Sequence, residues 1–224
     1  MNYFFTLIFA SLLFIGQSFA QANFEGTIKF KIEYEDLPEE MVEMEEMLPK
    51  EMVTKIKGNK NRTEQNSGMG NTINILDGDK KSSISLINMM GNKIAVEMNL
   101  KEMEIQKAKM GNDAPPEIEY ADGTKKIAGY ICKEATITIA GTDETVTIFF
   151  TSEIQTQKIG EQYEGFEGFP MQYKISAQGL TMVITATSVT KETISKSEFT
   201  IPEDYKRMTS EEFQKSIKTQ LGTE

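Results

Sequence analysis

The sequence contains no histidine and no tryptophan, and it has a single cysteine, Cys132. Without histidine, the chain lacks the usual general base, the commonest zinc ligand and the triads that depend on an imidazole. It also lacks a phosphate-binding loop, a dinucleotide fingerprint and EF-hand spacing. We therefore predict no catalytic residue, no metal site and no cofactor, and we expect the protein not to be an enzyme.

A lone cysteine excludes an internal disulfide framework, so the fold must be stabilised by packing. The surrounding segment GYICKEATITIA alternates like a strand, with Ile131, Ile137 and Ile139 on one parity. Cys132 then falls on the opposite face unless a bulge intervenes. We interpret it as a small residue within a sheet; pairing with a second molecule is the alternative.

Long hydrophobic runs are absent except at the start of the chain. Residues 1–20, MNYFFTLIFASLLFIGQSFA, are largely apolar and end in the small-x-small pattern Ser18-Phe19-Ala20. This pattern is typical of an export signal cleaved after Ala20. A retained membrane anchor is the alternative, since about 20 apolar residues span a bilayer. We expect residues 21–224 to form a single domain with no stable membrane anchor, periplasmic, associated with the outer envelope, or secreted.

Positive charge is scarce where negative charge is dense. The net charge is −10, and residues 33–51 alone contribute −8. The acids in this stretch are Glu33, Glu35, Asp36, Glu39, Glu40, Glu43, Glu45, Glu46 and Glu51, against Lys50. Phosphate backbones and anionic membranes require clustered cations, so nucleic acid is excluded as a partner and an anionic membrane is disfavoured.

Most of the chain alternates apolar and polar residues, which indicates strands with one wet face. FEGTIKFKIEYE, residues 24–35, shows this most clearly. Turn signals follow at Asp77-Gly78, Gly91-Asn92, Gly141–Asp143 and Gln178-Gly179. Short connections favour antiparallel neighbours. The pattern predicts a mainly β (α+β) protein with an antiparallel sheet of about nine to eleven strands.

Two helices are predicted. EEMVEMEEM, residues 39–47, lies between Pro38 and Pro49, and a helix over 38–48 would gather its apolar side chains within an arc of about 120°. Those side chains are Met41, Met44, Met47 and Leu48. Near the C-terminus, Thr209 and Glu212 match a capping box for a helix over 210–221 that ends at Gly222. Residues 101–110 fit either a helix or a strand, and 111–117 fit a loop.

Methionine is abundant, with 14 residues. One interpretation is adaptable core filler. A second is a Cu(I) site formed by Met41, Met44 and Met47, which is disfavoured because no cysteine or histidine is nearby. A third is a surface that repacks against ligands of variable shape.

Three segments resemble a known family. DGTKKIAGYICKEATI, residues 122–137, resembles the Thr-Lys-x-Ile-x-Gly-Tyr-x-Cys signature of an exported Bacteroidota family known only as a domain of unknown function. GFPMQY, 168–173, and FTIPEDYKRM, 199–208, are similar to its later motifs. That family resembles the periplasmic lipoprotein carriers of the Lol type. The resemblance implies a curved antiparallel half-barrel, with helix 38–48 lying as a lid over a concave apolar cavity that holds acyl chains.

Two functions follow as hypotheses. The first is an exported, non-enzymatic binding protein that holds a lipid or lipoprotein acyl chain between the lid and the sheet. Candidate lining residues are Met41, Met44, Leu48, Phe30, Ile32, Ile84, Leu86, Ile148 and Phe150. The alternative is an envelope or secreted scaffold protein with a packed core, which binds a cationic partner through its acidic helix.

Overall fold

The computed structural model describes residues 24–109, 117–138, 145–154, 168–177 and 180–221. The predicted export signal, the loop at 111–116, the turns at 141–143 and 178–179, and Gly222 lie outside these residues. The strands are β1 (Glu25–Asp36), β2 (Glu51–Lys57), β3 (Lys60–Ser67), β4 (Gly70–Asp77), β5 (Ser82–Met89), β6 (Asn92–Asn99), β7 (Glu117–Ile127), β8 (Tyr130–Thr138), β9 (Thr145–Thr151), β10 (Phe169–Ala177), β11 (Leu180–Lys191) and β12 (Lys206–Thr209). The helices are α1 (Glu39–Val42), α2 (Leu100–Lys109) and α3 (Ser210–Leu221).

The strands form one mainly antiparallel sheet in the order β12-β6-β5-β4-β3-β2-β1-β11-β10-β9-β8-β7. The single parallel pair among the described strands is β12 with β6. β7 touches β11 although three strands separate them in the sheet, so this half of the sheet is strongly curved. The two end strands do not pair with each other, and the sheet is therefore curved but unclosed.

The described residues contain twelve strands, so the prediction of nine to eleven is too low. β3 reads KNRTEQNS and has no apolar side chain, which leaves no alternation to detect. β12 has only four residues. Both are strands because neighbouring strands supply their hydrogen bonds, a tertiary effect that outweighs local pattern.

Most of the apolar side chains that are buried on β1, β11, β10 and β9 lie on the face that carries Phe30, here called the Phe30 face. A cross-strand row on this face joins β1, β11, β10, β9 and β8. Its members are Ile32, Ile184, Tyr173, Ile148 and Ala135. Directly opposed residues of antiparallel strands lie on the same side of a sheet, so the row is one continuous apolar strip.

On β4, β5 and β6, an apolar cluster lies on the opposite face. Phe30 pairs with Met52, Met52 with Gln65, and Gln65 with Thr72, so Thr72 marks the Phe30 face on β4. Its neighbour Ile73 is buried and points the other way. Ile73 pairs with Leu86, and Leu86 with Ala95. These residues define the Leu86 face, where they pack against Ile194 and Phe199.

Residues 192–205, here called the strap, lie against the Leu86 face. Glu25 ion-pairs with Lys57 and accepts the backbone N–H of Ile194 at 2.8 Å. Further along the strap, Glu198 pairs with Lys55 at 2.7 Å, and its carbonyl accepts a bond from Arg62 at 3.2 Å. Strap and sheet are thus held by both apolar packing and charge.

The predicted helix over 38–48 is replaced by one α-helical turn, α1, and a 3-10 turn over Glu45–Met47. The α1 helix has no side-chain cap on Pro38. Glutamates at 39, 43 and 46 would also repel one another at helical spacing. A short segment with like charges therefore does not propagate as a continuous helix.

The other two helices begin at side-chain caps. Residues 101–110, which fitted either helix or strand, belong to α2 as far as Lys109, and Asn99 and Glu102 form a reciprocal capping box. The predicted C-terminal helix is confirmed as α3, with Thr209 Oγ1 accepting the N–H of Glu212 at 3.2 Å. Of the described helices, none has the length and apolar character needed to cross a membrane.

Candidate functional site

A recess of about 390 Å³ opens at the end of the sheet, where the β3–β4 and β5–β6 turns meet the 3-10 turn. It is lined by Met47, Ser67, Gly68, Met69, Gly70, Asn88, Met90 and Gly91. Three chain segments that are distant in sequence therefore contribute one thioether each. We call this the methionine recess.

Backbone contacts hold the three segments together. The N–H of Gly68 donates to the carbonyl of Met47 at 2.9 Å, which fixes the 3-10 turn against the β3–β4 turn. A side chain at Gly68 would place its Cβ 3.0 Å from the Met47 Cα, so glycine permits this approach. On the other side, Gly70 pairs with Met89, and a Cβ at Gly70 would lie 2.0 Å from the Asn88 carbonyl oxygen.

The turns project their methionines into solvent. Met90 has a φ of 51° and is followed by Gly91 at 86°, the left-handed geometry of a tight hairpin turn. Together with neighbouring exposed methionines, the recess forms what we call the methionine surface. Its members are Met44, Met47, Met69, Met89 and Met90, with exposed fractions between 38% and 94%. Exposed apolar side chains that form a large contiguous patch mark contact sites on soluble proteins.

Negative charge borders the methionine surface. Glu43, Glu45 and Glu46 are exposed and alternate in sequence with Met44 and Met47. Lys50 pairs with Glu46 at 2.9 Å, and both side chains remain largely in solvent. The apolar surface is therefore flanked by carboxylates that water still reaches.

The nine residues predicted to line a cavity occupy different places. Met41 and Leu48 are half-buried and Met44 is exposed. Phe30 and Ile32 are buried on the Phe30 face in a cluster that includes Met52 and Ile184. Ile148 and Phe150 are buried on the same face with Ala135 and Ile137.

Ile84 and Leu86 lie instead on the Leu86 face, beneath the strap. Because the sheet separates them from Phe30, they do not share a cavity with it. The sequence predicted them together because alternation shows which residues of a strand share a face. It does not show which face of the sheet those residues occupy.

Met69, Met89 and Met90 were not among the predicted site residues. A signal for them does exist in the sequence, because each lies in or next to a glycine-containing turn, Gly68-Met69-Gly70 and Met89-Met90-Gly91. Large apolar residues at turn tips are unusual, since turns favour small and polar residues.

Cys132 is fully buried, and burial raises the pKa of its thiol. Cys132 and Ile137 lie on opposite faces of β8, as their parity predicted, and β8 therefore buries a different face at each of its ends. Ile131 is consequently 67% exposed although it shares the parity of Ile137. Among the described residues, no three histidine, cysteine, aspartate or glutamate side chains are grouped to hold a metal ion.

No protein-family model and no curated protein matches this chain. Among solved structures, it is similar to PNGF-II, with a TM-score of 0.52 and 13% identity, over 87% of this chain and 33% of that one. It is also similar to LprF from Mycobacterium bovis, with a TM-score of 0.31 and 11% identity, over 81% and 90% of the chains. A β-barrel-like protein of a domain of unknown function from Brucella abortus gives 0.32 and 7%, over 75% and 97%.

The likeness to PNGF-II shows a related fold and nothing about activity, because identity is 13%. This chain spans about a third of that protein's length.

Proposed function

We propose that this protein is an exported, non-enzymatic binding protein whose contact site is the methionine surface. The observation that carries the proposal is the convergence of exposed thioethers from three chain segments on one recess. The acidic flank and the packed interior clusters are consistent with recognition at the end of the sheet.

Energetics support a contact role. Burying a fully exposed methionine side chain is worth roughly 1.5–3 kcal/mol, and covering one that is already partly buried is worth proportionately less. An unbranched thioether also adapts to partners of different shape at low cost. The recess volume of about 390 Å³ falls within the range of roughly 300–1,000 Å³ that is typical of ligand sites.

The test compares two sets of variants of residues 21–224 for binding a fluorescent hydrophobic probe such as bis-ANS. Met69→Gln with Met90→Gln keeps side-chain length and removes apolar character at the recess. Ile131→Gln is the matched control, because Ile131 is an exposed apolar residue on the β7–β8 hairpin. We expect the double variant to lose most probe binding and the control to retain it. Equal binding by all three proteins refutes the proposal.

A second candidate is lipid carriage on the Phe30 face. The observation that favours it is the continuous apolar row from Ile32 to Ala135 on an unclosed sheet. An acyl chain of a lipid or lipoprotein would lie along this row, as the resemblance to Lol-type carriers implies. Because the row is largely buried, loading would require side chains over it to move aside.

Lipid extraction and mass spectrometry of the purified protein test this candidate, together with a fluorescent fatty-acid titration. Binding inside an apolar cavity should hardly respond to salt. Ile148→Trp should block it, since Ile148 is fully buried in the row. If no lipid co-purifies and no fatty acid binds, lipid carriage is refuted.

Export is tested separately. Cell fractionation should place the protein outside the cytoplasm, and N-terminal sequencing of the mature form should begin at Gln21. Recovery of the intact chain from the cytoplasm contradicts the localisation.

A further inference from the structure

We infer that the partner of the methionine surface is a cationic, amphipathic peptide segment of another protein. Its apolar side chains would enter the methionine recess, and its lysines and arginines would face the glutamates beside it. This inference rests on the proposed function and specifies the chemistry of the occupant.

Charge and apolar area are interleaved in the segment that forms one wall of the recess. Residues 43–47 read Glu-Met-Glu-Glu-Met, and all of them are exposed. Any group that contacts Met44 and Met47 therefore lies near the carboxylates of adjacent residues, at a distance comparable to the screening length of about 8 Å at physiological salt. A purely apolar occupant would desolvate those carboxylates without compensation.

One lysine of this acidic segment, Lys50, already pairs with Glu46 at 2.9 Å, and other described lysines are engaged elsewhere. Lys93, at the start of β6 beside the β5–β6 turn, pairs with Asp204 of the strap. Lys31 pairs with Glu33 at 2.7 Å, and Lys174 with Glu35 at 2.6 Å. In the part of the chain that the structure describes, no lysine or arginine pairs with Glu43 or Glu45. These carboxylates remain available to a partner.

The same charge argues against other occupants. An anionic membrane would be repelled, because membrane attachment of this type uses basic segments. A second copy of this chain would oppose two stretches that each carry −8 over residues 33–51. A peptide that combines apolar side chains with lysine or arginine matches both the methionine recess and the carboxylates beside it. Its apolar anchors supply affinity, and its charges supply orientation and association rate.

The experiment uses three synthetic peptides of about four helical turns. The first is an amphipathic leucine–lysine peptide, the second replaces every lysine by glutamate, and the third has the first composition in a non-amphipathic order. Binding to residues 21–224 is measured by fluorescence anisotropy at low salt and at high salt. We expect tight binding of the first peptide alone, weakened roughly tenfold or more by high salt.

Two variants separate the components of the surface. Glu43→Gln with Glu45→Gln and Glu46→Gln removes charge, and Met69→Gln with Met90→Gln removes apolar contact. Each should weaken binding of the leucine–lysine peptide roughly tenfold. Glu119→Gln with Glu211→Gln, which alters exposed acids on β7 and α3, is the control and should change binding little. Circular dichroism verifies that every variant is folded.

The outcomes distinguish the two proposals. If the methionine variant loses bis-ANS binding while the lysine and glutamate peptides bind equally, the methionine surface is a binding site and the cationic-partner inference is overturned. The same holds if anionic vesicles bind and the basic peptide does not. If the methionine variant changes neither probe nor peptide binding, both proposals fail. Salt dependence of the unsubstituted protein decides the question even if a variant does not fold.

Discussion

Replacing Leu86 by alanine tests whether the Leu86 face is a sealed core or part of a ligand cavity. Leu86 is 0% exposed and lies between Ile73 on β4 and Ala95 on β6. The strap residues Ile194 and Phe199 belong to the same cluster. A sealed core predicts a large loss of stability with no change in ligand binding.

The magnitude follows from burial and from the rigidity of the surroundings. Loss of leucine packing removes roughly 1.5–3 kcal/mol of transfer free energy. The remaining cavity adds to this, so Leu→Ala typically costs about 2–5 kcal/mol in all. Strand pairing holds Ile73 and Ala95, and the ion pairs of Glu25 and Glu198 hold the strap. Little collapse is therefore allowed, and we expect about 3–5 kcal/mol.

Urea unfolding followed by circular dichroism measures the change, since the chain has no tryptophan. A melting curve should shift by roughly 2–4 °C per kcal/mol for a protein of this size. Ile87→Ala is the matched control, because Ile87 is half-buried on the opposite face of the same strand, and it should cost about 1 kcal/mol. A loss below about 1 kcal/mol for Leu86→Ala, or a parallel loss of fatty-acid binding, would refute the sealed core.

Three further predictions concern a thiol, a turn and an ion pair. Cys132 should resist DTNB in the native protein and react after urea unfolding, because its thiol is buried and its pKa is raised; fast native labelling would contradict this. Gly70→Ala should destabilise the protein and weaken bis-ANS binding, because a Cβ at Gly70 would clash with the Asn88 carbonyl oxygen. Gly58→Ala is the control: the space around Gly58 is open, so it should show only backbone strain of about 1–2 kcal/mol. Equal effects of the two substitutions would exclude a special role for the close approach of β4 and β5 at Gly70. For Asp77, burial alone would raise the pKa, but the Lys60 ion pair at 2.7 Å and the hydrogen bond from the Lys80 N–H lower the pKa overall. The Asp77 carboxylate therefore stabilises the folded state fully above the unfolded pKa of about 3.9, and this stabilisation is lost as pH falls through the folded pKa. Asp77→Asn should therefore be less stable than the parent at pH 7 in urea titrations, with the gap closing in acid, and a gap that persists at pH 2 would refute the assignment.

Local signals predicted local structure well. Alternation over 24–35 predicted β1, whose Ile28, Phe30 and Ile32 are buried while Lys29 and Lys31 are exposed. The capping box at Thr209 and Glu212 predicted the start of α3. Both depend on neighbours within a few residues, which is why the sequence alone specifies them.

The candidate site was predicted less well, because its parts are joined only in three dimensions. The sequence identified Met44 and Leu48 as members of one apolar stripe, but glutamate repulsion divides that helix into two turns. Met47 reaches Met69 and Met90 only because the β3–β4 and β5–β6 turns end at the same edge. Their sequence separation hides this proximity.

The amino-acid sequence determined which residues share a side of each strand, since successive side chains alternate by covalent geometry. It also determined the acidic character of the segment over 33–51. The tertiary structure decided which side of each strand is buried, because that depends on where the strap and the curved β7–β11 half come to lie. Pairing of β1 with β11, between residues more than a hundred positions apart, sets that arrangement. Such long-range contacts are determined by the packing of the whole chain and leave no periodic trace in either strand.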